Sequence, residues 1–203
     1  MRGRAGFSIA ALAACLIALA AYFGATGRDT PEPGDEAWPT MAEATSSKDG
    51  AVALARRLGA HLESHPRDAR SWAILARLQF GMDRFSESAQ AYEKALALPS
   101  RVATDPSVWC EYADALGMVQ GGKLSGRPRA ILDRALALNS KHPKALEMAG
   151  SAEYEQGDYI AATRFWRMLI VTLEPGSQAH AELTAAIARA ERLAMVSVPA
   201  QRP

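Results

Sequence analysis

"EYEQGDYIAATRFW", residues 153–166, places a Gly-Asp-Tyr turn signal between two runs of helix-forming residues. Glycine releases the backbone from helical geometry, and aspartate is a residue type that caps a following helix. The small pair Ala161 and Ala162 then precedes the bulky Trp166 by about one turn. The stretch reads as a helix, a tight turn at Gly157-Asp158-Tyr159 and a second helix. Its alanines permit close approach of the two axes, and its indole fills space beside them.

The same pattern recurs. Trp72, Trp109 and Leu146 are each 37 residues apart. Aligned on them, three segments match: Ala69–Leu98, Pro106–Leu138 and Pro143–Ile170. The pattern of large and small residues is carried in the first by Trp72, Leu75, Ala76, Phe85, Ser88, Tyr92 and Ala95, and in the third by Gly150, Gly157, Tyr159, Ala162 and Trp166. The middle segment has a lengthened turn within "QGGKLSGRPR" (120–129), and the loop "PSRVATDP" (99–106) lengthens the first spacing. This repeat resembles the tetratricopeptide (TPR) family, a helix–turn–helix unit with small residues where helices A and B meet and aromatics between successive pairs. The implied fold is an all-α TPR solenoid of about three repeats. A lone helix precedes it, with Leu54, Leu58 and Leu62 on one face. An end helix with Leu183, Ile187 and Ala190 on one face follows and covers the last apolar groove. Abundant Ala and Leu with few aromatics agree with a helical chain.

The domain spans 49–195, with a tail at 196–203. Ahead of it, residues 1–27 hold Arg2, Arg4 and an apolar run from Phe7 to Ala25. Nineteen residues at ~1.5 Å each span about 28 Å, the thickness of the hydrocarbon layer of a bilayer. An uncleaved transmembrane anchor is expected; a cleaved signal or a lipoprotein box at "LAAC" (12–15) are the alternatives. Arginines before the run orient the remainder outward, into the periplasm of a Gram-negative cell. Residues 28–48 are an acidic, proline-containing linker.

From residue 28 on the net charge is −1 and no basic stripe occurs, which argues against nucleic acid as a partner. Cys15 lies in the apolar run, leaving Cys110 without an internal disulfide partner; it is expected to be a small core or groove residue. Four scattered histidines form no metal motif, and "GGKLSG" (121–126) lacks the order and the preceding strand of a phosphate loop. No catalytic constellation and no cofactor are expected.

The TPR resemblance implies a binding surface on helix A positions 2, 5, 9, 12 and 13 of each repeat, three and four apart on one face. These are Arg70, Ala73, Arg77, Phe80 and Gly81; Ser107, Cys110, Asp114, Gly117 and Met118; and Lys144, Glu147, Ser151, Tyr154 and Glu155. Such a groove suits an amphipathic helix or a peptide with a free carboxylate.

The anchor, the acidic linker, the lengthened middle turn, "WAILAR" (72–77) and "HPKALEMAG" (142–150) together resemble the TPR subunits of bacterial c-type cytochrome maturation over roughly residues 51–192. That resemblance implies a non-catalytic, inner-membrane subunit whose periplasmic TPR domain holds apocytochrome c by its C-terminal helix. It would present the polypeptide to membrane haem-ligation proteins. The single apolar span resembles the shorter form associated with a nitrite-reductase haem lyase, or one half of a split general form. A cell-envelope scaffold for assembly, division or secretion proteins is the competing expectation.

Overall fold

A computed structural model describes residues 48–197. The expected membrane span at 7–25 and most of the acidic linker lie outside the described residues. Among the described residues no helix is long and apolar enough to cross a membrane.

Eight α-helices and one short 3-10 turn make up the described chain, with no strand among them. They are α1 (Lys48–Ser64), α2 (Ala69–Gly81), α3 (Phe85–Ala97), α4 (Pro106–Val119), α5 (Arg127–Leu138), α6 (Pro143–Gln156), α7 (Tyr159–Ile170) and α8 (Gln178–Ser197). The loop between α3 and α4 contains the 3-10 turn at Val102–Thr104. From Ala55 on the helices form one compact unit. The pairs α2–α3, α4–α5 and α6–α7 are the three repeats, α8 packs on α7, and α4 also touches α6. The fold is an all-helical TPR solenoid.

Helix boundaries follow from local chemistry. The Gly157 turn has the expected form: Gly157 is left-handed at φ 82°, and the amide of Asp158 donates to the carbonyl of Glu153 at 3.0 Å. The Asp158 carboxylate then accepts from the amide of Ala161 at 2.9 Å and starts α7. Asp68 and Asp105 cap α2 and α4 in the same way, and proline occupies the first turn of α4, α5 and α6, where no amide hydrogen is needed. Repeat one differs at its turn. Asp83 holds the left-handed position of Gly157, at φ 59°, and Arg84 in place of Asp158 gives α3 no side-chain cap.

The core is built from small residues. Ala76, Ala95, Ala113, Ala115, Ala135, Ala145, Ala149, Ala152, Ala162 and Ala190 have no exposed surface, so the helix axes approach closely. Of the expected close-packing pair, Ala162 is fully buried and Ala161 is half-buried. Ser88 takes the equivalent small position of repeat one and donates its buried hydroxyl to the Ala76 carbonyl at 2.8 Å. The repeat tryptophans sit at the seams between repeats. Trp72 donates to the Pro66 carbonyl at 3.0 Å and Trp109 to that of Ala103 at 2.9 Å. Each ring is covered by a cation from helix B of its own repeat, Lys94 at 4.2 Å and Arg134 at 5.5 Å.

Candidate functional site

Helices α2, α4 and α6 carry the candidate groove residues. Arg70, Lys144 and Glu147 are exposed, and Asp114, Met118 and Ser151 are half-buried. Lys144 reaches Glu147 at 3.4 Å on its own helix, and Ser151 donates to the Glu147 carbonyl at 3.0 Å. Burial pushes the Asp114 carboxyl above the usual carboxylate range, with nearby Lys144 opposing and Glu147 adding to the rise. This part of the inner layer carries both signs of charge side by side.

Arg77, expected in the groove, also makes a contact within the fold. Its Nε donates to Glu111 on α4 at 2.9 Å, and the Tyr92 hydroxyl on α3 donates to the same carboxylate oxygen at 3.0 Å. Both charged side chains are largely enclosed, 14% and 22% exposed, and the contact joins three helices. Burial raises the Glu111 carboxyl, opposed by Arg77. Burial alone would lower the guanidinium, and Glu111, Tyr92 and Asp105 together outweigh it, so the net shift is upward. Glu111 was not legible as a partner, because it lies outside the five groove positions; its spacing of 34 residues from Arg77 is the one available signal.

The two aromatics expected in the groove, Phe80 and Tyr154, pack within their own repeats. Phe80 meets Phe85 edge-on at 5.2 Å, and Tyr154 meets Tyr159 edge-on at 5.2 Å. Both pairs tie the end of helix A to the first residue of helix B, and Tyr154 leans on Trp166 as well. Both side chains are half-buried.

Cys110 is buried, and burial pushes its thiol up to about 12, far from a reactive thiolate. Its Sγ lies 3.7 Å from Nδ1 of His142, and the His142 Nε2 lies 3.3 Å from the Ser107 hydroxyl. Nδ1 also accepts from the amide of Ala145 at 3.3 Å and caps α6, while burial, opposed by Asp105, lowers the imidazole and keeps it neutral. The cluster holds the start of α6. Among the described residues, no group of three or more His, Cys, Asp or Glu is placed to hold a metal ion.

Two further groove positions contact the lengthened middle turn. Glu155 accepts the amides of Leu124 and Ser125 at 2.7 and 3.0 Å. A Cβ on Gly117 would stand 3.1 Å from Leu124 Cδ2 and 3.2 Å from the Lys123 carbonyl.

Comparison with known proteins agrees with this architecture. The first of two examples among the similar solved structures is MamA, with TM-score 0.58 and 14% identity over 79% of this chain and 98% of that one. The second is the first TPR domain of Spaghetti bound to an HSP90 peptide, with TM-score 0.52 and 19% identity over 64% and 94%. At those identities the likeness concerns the fold. Among curated proteins, the cytochrome c-type biogenesis protein CycH of Pseudomonas aeruginosa is 30% identical over 93% of this chain and 44% of its own length. The formate-dependent nitrite reductase complex subunit NrfG of Escherichia coli O157:H7 is 27% identical over 54% of each chain. The chain thus spans less than half of that CycH relative. Residues 37–180 match the family described as the cytochrome c-type biogenesis protein H TPR domain, and the chain belongs to that family.

Proposed function

We propose that this chain is the polypeptide-binding subunit of a c-type cytochrome maturation system, holding apocytochrome c by its C-terminal helix while haem is attached. The observation that carries the reading is the family match over 37–180, which spans all of α2, α4 and α6, the helices bearing the mixed-charge inner surface. Exposed Arg70, Lys144 and Glu147 beside half-buried Asp114, Met118 and Tyr154 suit an amphipathic helix, whose apolar side meets the aromatic and thioether groups and whose edges meet the charges. The subunit binds and presents; the haem-ligation proteins of the membrane carry the chemistry. The apolar run at 7–25 would anchor it in the inner membrane with the TPR domain in the periplasm.

Fluorescence anisotropy of labelled apocytochrome C-terminal peptides, titrated with the full-length chain, tests this. Saturable binding that exceeds a scrambled control and weakens in Arg70→Glu and Asp114→Ala is expected. Ordering the free peptide consumes roughly 2–5 kcal/mol of the gross interaction, so micromolar affinity is the appropriate range to search. A folded protein that ignores every cytochrome tail would leave the alternative, a cell-envelope scaffold for another partner.

A further inference from the structure

The lengthened turn of repeat two, residues 120–126, is not a loose excursion. Gly121, Gly122 and Gly126 all take left-handed φ, between 76° and 83°, which gives the loop a path that side-chain-bearing residues rarely follow. The amide of Gly122 returns to the Gly117 carbonyl at 2.8 Å, and the Gln120 side chain donates to the carbonyls of Lys123 and Ser125 at 2.6 and 2.8 Å. Leu124 packs against the core cluster shared by α4, α5 and α6.

Two contacts give the loop a second meaning. Leu124 rests on Gly117 of α4, and Glu155 of α6 gathers the amides of Leu124 and Ser125 from 31 and 30 residues away. Gly117 and Glu155 both belong to the helix A positions expected to face a ligand. The loop makes the contacts an external peptide would make there: an apolar side chain over a glycine notch, and main-chain amides held by a carboxylate.

We infer that residues 120–126 are a strap, locked by Glu155, that occupies one end of the inner surface and limits how far a bound helix extends along it; the ligand part rests on the peptide-binding reading above. With the strap in place, the Gly117 carbonyl of α4 and the Glu155 carboxylate of α6 already have partners within the chain. A helix seated among Arg70, Asp114, Lys144 and Glu147 then stops short of them. The inserted residues act as a length gauge that an uninterrupted turn would lack.

Amide-resolved hydrogen exchange and peptide titration on the full-length chain, Glu155→Ala and Leu124→Ala test it together. The peptides are an apocytochrome C-terminal helix trimmed to about two turns and the same helix extended to about four. In the wild type the Leu124 and Ser125 amides should exchange at least about tenfold more slowly than in an open chain, and Glu155→Ala should abolish that protection. If the strap is closed about nine-tenths of the time, opening it should tighten the extended peptide roughly tenfold and leave the trimmed one unchanged. Amides already unprotected in the wild type overturn the strap. Peptides that bind the wild type and respond equally in all three proteins overturn the gauge while the chaperone reading stands. Peptides that bind only the two variants establish the strap as a block. If no peptide binds any of the three, the chaperone reading falls, and exchange alone decides the strap: protection released by Glu155→Ala retains it, and unprotected amides remove it.

Discussion

The indole of Trp166 lies where a side chain at residue 150 would begin: a Cβ on Gly150 would stand 2.9 Å from Cε2 and nearer still to Nε1 and Cδ1. The same indole donates to the Glu147 carbonyl at 3.4 Å, so α7 is seated on the backbone of α6. Glycine at this position is a condition of the packing between the helices of repeat three. Gly150→Ala should therefore destabilise the domain by about 1–3 kcal/mol, the ordinary cost of overpacking. Gly59→Ala, where a Cβ meets nothing within 4 Å, should be neutral or stabilising by up to about 1 kcal/mol. Urea unfolding of the two variants compares them directly, and equal midpoints would refute the account.

Removing Arg77 strands an enclosed carboxylate. Arg77→Ala should cost about 3 kcal/mol or more, because breaking one side of a buried pair leaves the other uncompensated. Arg77→Met paired with Glu111→Gln should recover much of that loss by removing both charges. A double-mutant cycle with chemical denaturation checks this, and additive losses would show the two residues to be uncoupled. A lowered peptide affinity in Arg77→Ala consequently reports on folding before it reports on contact.

Asp83 strains the turn of repeat one that Gly157 eases in repeat three. Asp83→Gly should stabilise the domain by roughly 0.5–1 kcal/mol, since left-handed backbone disfavours a Cβ. Thermal unfolding followed by circular dichroism should show a midpoint raised by a few degrees. A lowered midpoint would mean that the Asp83 side chain contributes more than its backbone costs.

Cys110 should resist alkylation in the native protein at neutral and mildly alkaline pH. Its thiol is pushed up to about 12 and lies buried beside His142. Timed iodoacetamide labelling, read by mass spectrometry at the peptide containing Cys110, should show modification only after denaturant is added. Rapid native labelling would place the residue on an open surface.

Asp68 links folding to acid. Burial raises its carboxyl, but hydrogen bonds from Ser71 and the proximity of His61 outweigh that, and the net shift is below the ordinary 3.8. A carboxyl lowered in the folded state contributes stability that is present above its unfolded value and lost as pH falls through the folded one. Asp68→Ala should cost about 1 kcal/mol at neutral pH, as the loss of a helix cap does, and should show a shallower stability decline below about pH 4 than the wild type. Denaturant titrations at a series of pH values check both the offset and the slope.

The sequence by itself determined the repeat. Small residues at fixed intervals, a Gly-Asp turn and aromatics one turn beyond are requirements of two helices packing closely, and they recur often enough to declare the solenoid, its three pairs and its flanking helices. The resemblance to TPR proteins also implied which helices carry the inner face. Tertiary structure alone decided what the residues of those helices touch within the chain. Arg70 and Arg77 are identical as letters and differ in fate, because Glu111 and Tyr92 converge on Arg77 from two other helices and nothing in the local sequence encodes that meeting. Phe80 and Tyr154 were expected as groove aromatics, and the structure shows each bracing the turn that follows it. The inserted turn was visible as three extra residues; its capture by Glu155 was not. Periodicity records the contacts that every repeat must make, whereas contacts made once, between charged or polar groups one repeat apart, depend on where the helices come to lie.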